Sequence, residues 1–104
     1  MERPTLPFIY ATMVKSYGME FVGLSRRRAL SDKRKVFCLV ARHYGYSHHE
    51  IQTFLGLRSH GTVVVACATM RKLMSVYPEF RRQYDLALAN IEEETSMPQV
   101  IENW

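Results

Sequence analysis

Apolar positions recur along most of this chain at intervals of three and four, the spacing of one helix face. From Phe8 to Tyr17, Ile9, Met13 and Val14 share such a face, and Gly18 supplies a stop. The preceding "MERPTLP", residues 1–7, reads as a flexible, proline-punctuated lead-in. Val36, Phe37, Val40 and Tyr44 form a second stripe, with Ser31 as its candidate cap, Asp32 in its first turn and Gly45 at its end. Ser47 with Glu50 three residues later is a capping box, which predicts a short helix through Ile51, Phe54 and Leu55 to a stop at Gly56. Pro78 suits the first position of a last helix, whose core face is Phe80, Tyr84, Leu88 and Ile91 and which runs to Glu94. Residues 95–104 show no period and read as a tail.

The stretch "GLRSHGTVVVAC", residues 56–67, is ambiguous by propensity. Three consecutive valines suit a strand. A strand would end near Thr69, however, and leave "MRKLMSVY" without a partner pattern. With Ser59 as N-cap and His60, Gly61 and Thr62 as a first turn, Val63, Ala66, Cys67, Met70, Met74 and Tyr77 fall on one helical face. Length therefore favours a helix, since burial overrides the weak helix propensity of valine.

The expectation is one all-α domain over residues 8–94, a bundle of five or six helices. A chain of 104 residues can bury a modest core without disulfides or metal. Cys38 and Cys67 lie in apolar runs with no CxxC spacing, as small buried hydrophobes do in a reducing compartment. His43, His48, His49 and His60 do not combine with a cysteine at zinc-binding spacing, so neither metal nor other cofactor is expected. No paired carboxylates or nucleophile–base pair suggest an enzyme. No run of 18 apolar residues predicts a membrane span, and the N-terminus lacks the apolar run and cleavage site of a signal peptide, so a cytoplasmic location is expected.

Charge changes the picture. The net charge is +4, but residues 1–75 hold 12 Lys and Arg against 4 Asp and Glu, a surplus of +8. Residues 76–104 hold 2 against 6, or −4. A solvated surface can carry such an imbalance; so can a body that meets an anionic partner. The densest basic run is "SRRR", Ser25 to Arg28.

A short capped helix, a glycine-bearing turn and a longer capped helix make the helix-turn-helix pattern. In such units the first residues of the second helix face base edges in the major groove, and helix N-termini suit phosphate. The polar opening of "RSHGTVVVAC" then has a reason: small polar groups face DNA while the apolar continuation packs inward.

The segment "RHYGYSHHEIQTFLGLRSHGTVVVACATMRKL" resembles the signature region of the C-terminal DNA-binding domain of DnaA, the bacterial chromosomal replication initiator. Ala41, Arg42, Ser47, Glu50, Ile51, Gly56, Arg58, His60, Thr62, Val63, Ala66 and Cys67 match that family in order and spacing. "VKSYGMEFVGLSRRR" is similar to the family's first helix and basic loop, so the resemblance spans residues 8 to 77. It implies a Trp-repressor-like helix-turn-helix fold, with the helix after Ser59 in the major groove. It further implies that one of Arg26, Arg27 and Arg28 reaches the minor groove, from a loop shorter than the family's usual one. Lys33 and Lys35 stand where the family contacts phosphate, and Ser47 and His48 where the short helix approaches the backbone and a base.

Three departures bear on what is read. Ser59 replaces the family's Asp, keeping the cap but losing a carboxylate that accepts from cytosine. Gly61 replaces a Thr or Ser, and Ala68 and Thr69 replace an Arg-Lys pair. No Walker A sequence or ATPase segment is present in the chain. The expected function is sequence-preferring binding of double-stranded DNA through Arg26, Arg27, Arg28, Lys33, Lys35, Ser47, His48, Arg58, Ser59, His60, Gly61 and Thr62, in replication or transcription control at the nucleoid. The alternative is a protein-interaction module, binding a protein partner or a second copy, that keeps the fold and no longer reads bases; Gly61 and Ala68 favour it.

Overall fold

The computed structural model describes residues 3–18 and 28–96. Five helices account for nearly all of them: α1 Leu6–Tyr17, α2 Arg28–His43, α3 His48–Leu55, α4 His60–Val76 and α5 Pro78–Ser96. The all-α class expected from the spacing is what the chain adopts.

Helix α2 is the centre of the bundle. Val36, Phe37, Cys38, Leu39, Val40 and Ala41 are all buried, so this turn and a half is apolar on every side, as a helix must be when others surround it. Helices α1, α3, α4 and α5 all pack on it. Ile9 and Met13 of α1, Ile51 of α3, Val63, Cys67 and Met70 of α4 and Ile91 of α5 complete the core. Tyr10, Phe37 and Phe54 join α1, α2 and α3 through ring contacts at 5.7–6.1 Å.

The first and last helices also meet. Lys15 Nζ lies 3.3 Å from Glu94 Oε1, and Asn90 Nδ2 donates to Ser16 Oγ at 3.1 Å. Beneath these polar contacts Thr12, Met13 and Ala87 line a small gap between the two helices.

Two helix starts differ from the sequence expectation. Helix α1 begins at Leu6, because Thr5 adopts extended backbone and its hydroxyl accepts from Phe8 N–H at 3.2 Å. Part of the supposed lead-in is therefore packed: Leu6 is buried, and Tyr46 Oη donates to the carbonyl of Pro4 at 2.6 Å. The Arg3 guanidinium sits 3.8 Å over the Tyr46 ring and 3.8 Å from Glu50 Oε2. Helix α2 begins at Arg28, so Ser31 is an internal residue and not its cap. Ser31 Oγ accepts from Lys35 Nζ at 2.9 Å, and Asp32 lies 3.8 Å from the same ammonium. Ser-Asp is a cap signal only when the chain before it leaves the helix, and here it does not.

Candidate nucleic-acid interface

Local chemistry places α3 and α4. Gly45, at φ +91°, turns the chain after α2, and Arg42 Nη1 clamps the turn by donating to the carbonyl of Tyr46 at 2.8 Å. Ser47 then caps α3 as a full capping box: its hydroxyl accepts from Glu50 N–H, and its own N–H donates to Glu50 Oε1, both at 3.0 Å. Gly56, at φ +70°, ends α3 in the left-handed conformation. Three residues follow before α4, and Ser59 caps it by accepting from Gly61 N–H at 3.1 Å. The capped short helix, the glycine-bearing turn and the capped long helix stand as the spacing predicted.

Arg58, Ser59, His60 and Thr62 are all exposed at this opening, and Gly61 is half-buried among them. A Cβ on Gly61 would lie 3.2 Å from Ser59 Oγ, so the glycine leaves room for the cap hydroxyl. His48 opens α3 nearby. Its pKa is lowered from 6.5 by burial and by the charges of Arg42, Arg71 and His60. The charges of Arg42 on α2 and Arg71 on α4 therefore both reach His48 on α3.

Arg26 and Arg27 lie outside the described residues, and Arg28 is the first residue of α2. Lys33 is half-buried with its Nζ 5.0 Å from the centre of the Tyr17 ring. Lys35 is held by Ser31 and Asp32. Ser47 uses its acceptor for the cap and keeps its hydroxyl proton to donate.

Arg42 and Arg71 were not among the expected contacts. They line a shallow cleft of about 270 Å³ with Leu39, His43, Met74 and Tyr84, and no Asp or Glu is among its lining residues. Arg42 Nε is buried without a hydrogen-bond partner. Arg71 stands 11 residues after His60, about three helical turns, so the two side chains leave α4 on nearly the same flank. That spacing was readable; the pairing of Arg71 with Arg42, which belongs to another helix, was not.

The apolar continuation of α4 is only partly packed inward. Val63, Cys67 and Met70 are fully buried, whereas Val64 is 41% and Val65 64% exposed. Ala68 and Lys72 are exposed beyond them. Tyr77, expected on the buried face, caps the end of α4 and is 48% exposed.

No protein-family profile, curated protein or solved structure matches this chain. Among the described residues, no three His, Cys, Asp or Glu gather where they could hold a metal ion, and no helix is long and apolar enough to cross a membrane.

Proposed function

We propose that this protein binds double-stranded DNA with sequence preference through the α3–turn–α4 unit, in the manner of the DnaA C-terminal domain that its sequence resembles. The carrying observation is the exposed, capped opening of α4, with the charges of Arg42 and Arg71 reaching His48 at the start of α3. In this reading Arg58, His60 and Thr62 face base edges, with Ser59 fixing their register. Arg71, Arg42 and the basic segment Arg26 to Arg28 meet phosphates on either side, and Lys33 and Lys35 reach them only by leaving their present partners. The activity needs no ATP, and its setting is control of replication or transcription at the nucleoid.

The decisive experiment selects bound duplexes from a random library and titrates the winner with salt. Each phosphate contact contributes about one unit to the log–log slope. A slope near zero refutes DNA binding. The protein-interaction alternative, which Gly61 and Ala68 favour, is favoured further by the exposed Val65 and Tyr77 and would lead if no duplex were selected.

A further inference from the structure

The outward face of α4 sets valine and alanine between two threonines, exposed Thr62 and half-buried Thr69. Val65 lies about 200° around the helix from buried Val63, at 3.6 residues per turn, and so points directly away from the core. Ala68 and Lys72 continue that face, and Val64 flanks it. After the first turn, then, an α4 seated in a major groove offers the base floor the methyl groups of Val65 and Ala68, with half-buried Thr69 beside them and the Lys72 ammonium farther along.

The only apolar group that a major-groove floor presents is the 5-methyl of thymine; cytosine, guanine and adenine show donors and acceptors in its place. Polar base edges set against Val65 would lose water and gain no hydrogen bond, which disfavours them. The surroundings suit the same surface. Arg71 leaves α4 on a flank about 120° around from Val65, next to Val64, and lines a cleft with Arg42, and a major groove sets phosphate walls beside its floor. A purely apolar protein partner gives no role to those cations.

We infer that Val65, flanked by Val64 and Ala68, is a specificity determinant that reads thymine methyl groups in the major groove. This rests on the DNA-binding reading above, and it names the bases that the middle of α4 selects. It differs from the family pattern carried by the first turn, since it assigns the choice to residues past Thr62.

The test uses the full chain and its library-selected duplex, with thymines replaced singly by deoxyuridine, which lacks only the methyl. Selected sites should carry thymine where α4 crosses the floor. Deoxyuridine there should weaken binding about fourfold per methyl lost. Val65→Ala, at an exposed helical position where alanine is well tolerated, should bring that ratio near one, while Val65→Ile keeps it. Equal affinity of the wild type for the thymine and deoxyuridine duplexes, with steep salt dependence retained, overturns the inference and leaves DNA binding intact. Failure to select any duplex removes the DNA reading itself. Sedimentation showing a dimer that Val65→Ala dissolves, with no deoxyuridine effect, reassigns the face to self-association and also overturns the inference.

Discussion

The cap of α4 can be tested as a coupled pair of positions. Ser59 Oγ makes one exposed hydrogen bond, 3.1 Å from Gly61 N, and Ser59→Ala removes it. The loss should be about 1 kcal/mol, which in a domain of this size lowers Tm by about 5 °C. Ser59→Asp keeps an acceptor and adds negative charge at a helix N-terminus, so its melting should match or exceed the parent's. Gly61 couples to this cap, because a Cβ there lies 3.2 Å from Ser59 Oγ. Replacing a helical glycine by alanine gains up to about 1 kcal/mol, less near a helix end. With Ser59 present, part of that gain goes into displacing the cap hydroxyl; once Ser59→Ala has removed that hydroxyl, there is nothing to displace. Gly61→Ala should therefore stabilise more in the Ser59→Ala background than in the wild type. Thermal melts of the four proteins followed by circular dichroism give the coupling directly. If Ser59→Ala and Ser59→Asp melt alike, or the two positions are additive, Ser59 does not hold the helix start as described.

Other consequences follow from the charges. Arg42→Gln and Arg71→Gln should each reduce the salt slope of DNA binding by about one unit, read by fluorescence anisotropy; unchanged slopes would take the cleft out of the interface. His48 has its pKa lowered by burial and neighbouring cations, so phosphates arriving beside it favour the protonated form. Binding then takes up a proton, and affinity should rise as pH falls from neutrality through 6.5 towards the free protein's lower value, an effect that His48→Gln flattens. The same depression makes His48 contribute stability above 6.5 that is lost as pH falls through its folded pKa. Glu50 is held below its ordinary 4.5 chiefly by the Ser47 N–H and hydroxyl contacts. Its contribution to stability is therefore complete above 4.5 and fades as pH drops through the lower folded value, so Glu50→Gln should narrow the difference between melts at pH 6 and pH 3.

What the sequence revealed of this fold was mostly its punctuation. Ser47 with Glu50, Gly56, Ser59 and Pro78 each marked a helix boundary, because caps and breakers act within three or four residues and need no tertiary partner. The start of α2 was misread for the complementary reason: Ser31 and Asp32 have the composition of a cap, but the residues before them remain helical and Lys35 takes up both side chains. Thr5 was a readable cap hidden by two prolines, and the contact of Tyr46 with Pro4 spans 42 residues, beyond any local pattern. In the candidate site, the exposed cluster from Arg58 to Thr62 was legible from its polarity, whereas the joining of Arg42 to Arg71 requires α2 and α4 to pack. The valine run hid its own division: Val63 faces inward and Val65 outward, which follows from helical geometry once the strand is rejected.

The seam between α1 and α5 sets an order of events during synthesis. α1 leaves the ribosome first, yet two of its polar contacts, Lys15 with Glu94 and Ser16 with Asn90, join residues 79 and 74 positions apart. Until α5 has emerged, the side of Met13 that faces Ala87 stays in water, although Tyr10 can already pack on Phe37 and Phe54. The α2–α3–α4 unit, whose neighbours are close in sequence, can assemble earlier. Helix α1 is thus fully enclosed only once α5 is made, and a nascent chain halted before Asn90 would hold α2, α3 and α4 together in a bundle still open along one side.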